Sequence, residues 1–417
     1  MSGVQKFESE SIGAPKGKID AGLFRETICD SVCKNCPRFF GVPLTAIVLT
    51  GSVARDEGSF SFKESFWELA GDVEFLLVFE KNGMPKPEPL NTIRQRIEND
   101  LQQRKIHCTI ELAAVSESYF SELPPHIFSL ELKRSGRVIW GEDRVLRSIP
   151  DFSASDLSKE DAWRLLCNRM IEQFAFVEDL SNEFSHLTPR LQYATVKLYL
   201  DMATSYLVFV GAYEATYRQR AEALRLLAAQ STTTSSDPFP LKDFSHRVSD
   251  CTDWKVSGRW PSDLSREFWE EAIDFASRLW RWEVAQLTKT PGGSSTGAAY
   301  DALAQQLNVR GKLRGWASAF RRSGGLKSWR DWPRWVRLGL HATPRYLVYR
   351  VGTELFFRLP HLVGGAGGPI DAEADLKGLR AFLPSLRFSG HCQGTDWQVL
   401  AYEVFSSYSQ FVTTTRA

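Results

Sequence analysis

A Gly-Ser pair followed by two acidic residues one position apart stands out in TAIVLTGSVARDEGSFSFKESFWELAGDVEFLLVF, Thr45 to Phe79. Ala46 to Leu49 reads as a buried strand ending in Thr50-Gly51-Ser52. A short helix start follows at Val53-Ala54-Arg55, then a loop, then a second strand carrying Asp72 and Glu74. Side chains alternate faces along a strand, so Asp72 and Glu74 point one way and Val73 and Phe75 the other. Two carboxylates side by side repel, and such a pair is usually tolerated because a divalent cation sits between them. Gly51 lets a backbone approach a phosphate closely. Ser52 can donate from its hydroxyl and its backbone N–H. A phosphate cradle beside a cation-holding pair has the parts for phosphoryl or nucleotidyl transfer.

The elements that must position these groups can be read on either side. After a loop with three prolines, Lys81 to Pro89, the spacing predicts a helix over Leu90 to Arg104 and a strand over Ile106 to Val115. On that strand His107, Thr109 and Glu111 share one face, which places Glu111 to lean toward Asp72 and Glu74 if the strands are neighbours. Taken alone, Glu111 is equally a plain solvent-facing strand residue. Arg137 to Gly141 reads as a short closing strand. Upstream, Cys29, Cys33 and Cys36 have the C-x3-C-x2-C spacing of a cluster-binding loop. Such a loop should follow a strand, and none precedes it. With Leu23, Ile28 and Val32 the cysteines read instead as the apolar side of a helix from about Ala21 to Asn35.

On Gly51-Ser52, Asp72-Val73-Glu74 and Glu111, the chain resembles the polymerase-beta-type nucleotidyltransferase superfamily over roughly residues 20 to 145. It departs from that pattern in having Glu74 where Asp is commoner, and in a longer gap between Ser52 and Asp72. The resemblance implies an α/β (α+β) nucleotidyltransferase domain with a short mixed sheet, followed by a helical bundle. It also implies transfer of a nucleoside monophosphate from a nucleoside triphosphate to an acceptor hydroxyl. Asp72, Glu74 and Glu111 would then be the catalytic and metal-holding residues, for two Mg²⁺ ions. Gly51, Ser52 and Arg55 would bind the nucleotide, with Lys197 of the helical region reaching the triphosphate. Lys197 also reads as a snorkelling side chain or an ion-pair partner of Glu172 or Asp201. Two alternatives stay open: a catalytically degenerate binding or antitoxin-like regulatory protein, and an RNA-modifying transferase. The acceptor is a small molecule, a protein or an RNA.

Beyond about residue 150 the character is helical. Ser155 or Ser158 can cap a first helix reaching about Leu180. Thr188-Pro189 starts a second, Tyr213 to Ala229 forms a third, and Ser262 to Leu287 a fourth. Thr290 to Ala298, TPGGSSTGA, reads as a linker. The expected domains are therefore residues 1–150 (nucleotidyltransferase), 151–290 (helical bundle) and 299–417 (basic C-terminal helical region).

The 417 residues carry a net charge of +1, which gives the whole molecule no strong bias toward nucleic acid or membrane. No apolar run is long enough for a transmembrane segment. The polar N-terminus lacks a secretory core, and an odd count of seven cysteines argues for free thiols, so a cytoplasmic protein is expected. Charge is unevenly spread. Arg310 to Arg358 holds twelve Lys or Arg against Asp331 and Glu354, a net +10 that leaves −9 for the rest. Tryptophans 316, 329, 332 and 335 are interleaved with these charges. Such a segment suits an anionic polymer or an anionic membrane surface. It also suits a helical domain whose Arg stems cover apolar surface, with Trp329, Trp332 and Trp335 on one buried face. The Gly364 to Gly368 run lacks the strand and the Lys-Ser/Thr of a phosphate loop.

Overall fold

In the computed structural model, residues 21–40, 44–63, 65–80, 83–180, 185–230, 237–289, 295–307, 309–322, 332–363, 371–384 and 395–413 are described. The glycine run at 364–368, Trp329 and most of the Thr290 to Ala298 tract lie outside them. The chain folds as two compact units. The first holds residues up to Leu157 with two later insertions, Glu214–Arg220 and Thr252–Trp260. The second holds Ser158–Tyr213, Ala221–Cys251 and Pro261 onward.

The first unit runs α1 (Ala21–Phe40), β1 (Leu44–Thr50), α2 (Gly51–Ala54), β2 (Phe60–Lys63), β3 (Phe66–Phe79), α3 (Pro87–Gln103) and β4 (Ile106–Ser116). It continues with α4 (Ser118–Ser121), α5 (Ile127–Ser135), β5 (Arg137–Gly141) and α6 (Arg144–Arg147). The five strands form one mixed sheet. The long β3 pairs in parallel with β4 on one side. On its other side it pairs antiparallel first with β2 and then with β1, and β1 pairs antiparallel with β5.

Alternation makes both faces of this sheet apolar over most of its area. Ile47, Leu49, Val73, Phe75, Leu77, Ile106 and Ile110 face α1 and α3, which contribute Phe24, Ile28, Val32, Ile93, Ile97 and Leu101. Ala46, Val48, Leu76, Val78 and Val115 face the opposite side, under Phe120, Leu132 and Val145. Cys29, Cys33 and Cys36 lie on α1, and the Cys33 thiol donates to the Ile139 carbonyl at 3.4 Å. Burial pushes the Cys29 and Cys36 thiols up to about 12 and the Cys33 thiol up to about 11.

The second unit is helical: α7 (Lys159–Glu172), α8 (Pro189–Phe209), most of α9 (Tyr217–Gln230) and α10 (Leu241–Ser257), and α11 (Arg266–Thr288). Then come α12 (Thr296–Gln306), α13 (Val309–Arg322), α14 (Trp332–Gly339), α15 (Pro344–Val363), α16 (Asp371–Arg380) and α17 (Asp396–Tyr408). Trp163 of α7 packs against Tyr300, Tyr346 and Tyr349 of α12 and α15, and Trp280 of α11 against Tyr300. The boundary expected at 290–298 therefore lies inside the second unit. Its last residues start a helix, because the Ser295 hydroxyl accepts from the Ala298 N–H and caps α12. Helix α10 was not among the expected elements. Phe244, Val248 and Cys251 are buried at helical spacing along it.

Glu283 of α11 is fully buried. The Ser205 hydroxyl donates to its Oε1 at 2.5 Å, while Oε2 has no hydrogen-bond partner among the described residues. Burial pushes this carboxyl up to about 8, against the smaller downward effect of Ser205. An unfolded glutamate titrates near 4.3, so between about pH 5 and about pH 8 the folded state binds more protons than the unfolded one, and stability falls as pH rises. Glu283→Gln is expected to flatten that decline. Melting temperatures of both proteins across this range check it, and parallel curves would contradict it.

Candidate functional site

The carboxylates sit where one sheet face changes character. On the face bearing Val48, Leu76, Val78 and Val115, the next residues in register are Thr50, Glu74, Asp72, Glu111 and Thr109. Thr50 pairs with Glu74 across β1 and β3, Glu74 with Glu111 across β3 and β4, and Asp72 with Thr109. Residues paired across neighbouring strands share a face, so the three acids occupy one acidic end of an otherwise apolar surface. Asp72 and Glu111 are exposed and Glu74 is half-buried.

Asp72 also marks the point where β3 changes partner. Its pairing with β2 ends at Leu69 and its pairing with β1 starts at Glu74. Gly71, at φ +123, carries the chain through this break, a conformation open mainly to glycine. The Ala70 N–H donates to the Ser59 carbonyl at 2.9 Å, and Lys255 Nζ donates to the Ala70 carbonyl at 3.3 Å, so these backbone groups remain satisfied.

Gly51 stands next to Glu74. Its φ is +73, and a Cβ placed on it would lie 2.9 Å from Glu74 Oε1. Only glycine allows both the turn and this approach. The sequence predicts a glycine that admits a phosphate, and the structure shows a glycine that admits the Glu74 carboxylate. Ser52 follows on α2, half-buried.

The loop after Ser52 is locked by charge. Arg55 Nη1 donates to Glu131 Oε2 at 2.5 Å, and Arg220 donates to the other Glu131 oxygen. Arg55 also lies 3.5 Å from Glu57, which accepts the backbone N–H of Tyr217 at 2.9 Å and of Arg218 at 3.1 Å. Both guanidiniums lie 5.3 Å from the Tyr217 ring centroid. Burial works against the Arg55 charge, but Glu131, with Tyr217 and Glu57, outweighs it and raises its pKa. Asp56, at φ +59, is gripped by Arg25 and by Arg137, and Arg137 Nε donates to the Ala54 carbonyl at 2.8 Å.

Gly51, Ser52, Glu74 and Glu111 are thus brought together, with Asp72 two positions along β3. Arg55 is turned instead into the buried cluster. Lys197 belongs to the second unit, on α8, with its ammonium 5.6 Å from the Tyr193 ring centroid. Asp201 and Glu172, its suggested partners, both pair with Arg169 at 2.5 Å. Among the described residues, no three His, Cys, Asp or Glu side chains are gathered closely enough to hold a metal ion by themselves. Sequence reasoning missed Glu57, Glu131, Tyr217 and Arg220. Arg55-x-Glu57 beside the Gly-Ser turn is the one local signal, since the other partners are distant in sequence.

No family model matches the chain, and no curated protein does. Among solved structures, it is similar to a spectinomycin adenyltransferase from Enterococcus faecialis, solved with ATP and spectinomycin. The identity is 12% and the TM-score 0.38, over 61% of this chain and 98% of that one. A likeness at this level carries no argument about the site.

Two outcomes follow from the geometry. Glu131→Ala leaves the Arg55 and Arg220 guanidiniums facing each other with Glu57, 3.5 Å from Arg55, as their one remaining carboxylate in the cluster, which should cost about 3 kcal/mol of stability. Chemical denaturation reads this, and an unchanged midpoint would mean that the cluster is not formed. Gly51→Ala forces Glu74 aside and strains the turn, costing about 1–3 kcal/mol. Its melting temperature should fall by several degrees, whereas Ser52→Ala should leave stability nearly unchanged.

Proposed function

We propose that the first unit is a Mg²⁺-dependent nucleotidyltransferase. The observation that carries this reading is the acidic end of the sheet face, where Glu74 lies between Gly51 on one side and Glu111 on the other. Hard carboxylate oxygens suit Mg²⁺, which is commonly held by one or two carboxylates and completed by substrate phosphates. Asp72 and Glu74 would hold it, with Glu111 completing the set. Bound there, the metal supplies charge neutralisation and lowers the pKa of an attacking hydroxyl.

The chain's own contribution is positioning. The Ser52 hydroxyl and backbone N–H donate to phosphate oxygens, and Gly51 leaves room for them beside Glu74. Arg55 acts through the loop: paired with Glu131, it keeps Gly51 and Ser52 in place. In the reaction the acceptor oxygen bonds to the α-phosphorus, the α–β anhydride bond breaks, and pyrophosphate leaves. The first unit supplies little acid–base chemistry beyond this alignment.

One observation favours a second reading. Arg55, a nucleotide-binding candidate, is committed to Glu131 at 2.5 Å, which fits a fold that binds nucleotide without turning it over. Incubation with each nucleoside triphosphate, Mg²⁺ and candidate acceptors, followed by pyrophosphate assay and mass spectrometry, separates the two. The transferase reading expects Asp72→Asn and Glu74→Gln each to lower turnover by 100-fold or more, roughly the ~3 kcal/mol typical of one lost electrostatic contribution. Nucleotide binding without pyrophosphate release in the wild type would decide for the second reading. Turnover that survives Glu74→Gln in a folded protein would place the chemistry elsewhere.

A further inference from the structure

Seven of the twelve basic residues of Arg310 to Arg358 fall into two groups. Arg350 pairs with Asp301 and Glu354, and Arg358 with Glu354 and Asp375. Arg334 donates to the carbonyls of Arg380, Ala381 and Leu383. These three are structural. Arg310, Arg314, Arg321 and Arg337 are exposed and pair with no carboxylate among the described residues. They lie on α13 and α14, neither of which contains an acid.

The two helices are anchored by their inner sides. Trp335 is buried against Trp316 and Phe411, and its indole donates to the Pro384 carbonyl at 2.7 Å. The Trp316 indole donates to the Ala342 carbonyl at 2.9 Å. Trp332, expected on the same buried face as Trp335, is instead partly exposed at the first position of α14, with its ring 5.5 Å from that of Phe320. An apolar groove of about 720 Å³ runs along the pair, lined by Val309, Leu313, Trp316, Trp332, Val336 and Leu340. Four large aliphatics stand open to water along it, with Val336 70% and Leu340 78% exposed. Exposure of this kind is costly and marks a binding surface.

We infer that α13 and α14 form a docking face for an anionic lipid bilayer, with the aliphatics and Trp332 entering the interface and the arginines meeting the headgroups. The charge complementarity selects the partner. An acid-free pair of helices with cations around an apolar stripe matches an anionic membrane surface. A polynucleotide would use the cations but gains nothing from exposed Val336 and Leu340, because its single strands are read by stacking on rings. No helix among the described residues is long and apolar enough to cross a membrane, so the contact lies in the interface plane.

The test uses the full chain and needs no nucleotide transfer. Vesicles of phosphatidylcholine with about a third phosphatidylserine should co-sediment it, phosphatidylcholine alone should not, and salt should weaken the binding. Val336→Ser/Leu340→Ser and Arg310→Glu/Arg314→Glu should each lower the vesicle affinity about tenfold or more without changing the melting temperature, since all four side chains are exposed. In the wild type the tryptophan emission should shift to the blue on adding anionic vesicles, and Trp332→Phe should reduce that shift. Equal binding to neutral vesicles would overturn the inference. So would vesicle binding that is indifferent to the aliphatic substitutions. Salt-sensitive binding of single-stranded RNA that survives Val336→Ser/Leu340→Ser, without vesicle binding, would make this a polynucleotide face. A fall in oligomeric mass in the same variant, without vesicle binding, would make it a contact between copies of this chain.

Discussion

The first unit depends on a change of neighbour along β3. A strand that kept one partner on each side throughout would bury its face from end to end, as it does at Leu76 and Val78. Between Leu69 and Glu74 the antiparallel partner switches from β2 to β1, and the face opens there. Asp72 and Glu111 are exposed at that end, so their carboxylates stay in water there. The backbone groups exposed by the switch must be paired elsewhere, and Ser59 and Lys255 do this at Ala70. The long gap between Ser52 and Asp72 is explained by the same feature. Its residues build β2 and the loop that closes the break.

The second constraint is electrostatic. Arg55, Glu57, Glu131 and Arg220 are mostly removed from water, and removing such groups costs several kcal/mol per ion before their attraction offsets it. A cluster of this kind is a poor device for stability and a good one for specifying geometry. It sits immediately after Gly51-Ser52, the segment whose placement any phosphate chemistry would need within a fraction of an ångström. Glu57 extends the cluster to the first backbone N–H groups of α9, where a carboxylate is favoured by the helix dipole. The turn is thus held by charge on one side and by the Glu74 approach on the other.

β1, β4 and β5 were legible as apolar runs and fall within a few residues of where those runs put them, whereas β3 was placed only around Asp72 and Glu74 and β2 was read as loop. The facing of Glu74 and Glu111 could be expected only conditionally, because alternation says which face a residue takes and not which strand lies beside it. The Arg55 cluster was not legible. Glu131 and Arg220 are 76 and 165 residues from Arg55, and charge pairing over such separations leaves no periodic trace. The Ser295 cap was mistaken for linker because a Gly-Ser tract and a helix N-cap draw on the same residue types.

The uneven charge gains a physical meaning from this division. With net +10 in Arg310 to Arg358 and −9 in the remainder, the near-zero total hides two regions of opposite sign. Had all twelve cations been matched by carboxylates, as Arg350 and Arg358 are, the segment would be electrostatically closed and its aliphatics would need another explanation. Arg310, Arg314, Arg321 and Arg337 pair with no carboxylate among the described residues and lie on the same two helices as Val309, Leu313 and Val336, so charge and apolar exposure coincide there. Near an anionic surface these helices are attracted while the remainder is repelled, and opposed forces on one chain orient it as well as hold it. Neither exposed leucines nor exposed arginines would single out a membrane alone. Their coincidence on an acid-free helix pair is what supports the inferred membrane face, because the bilayer interface combines a negative boundary with an apolar interior within one side chain's reach.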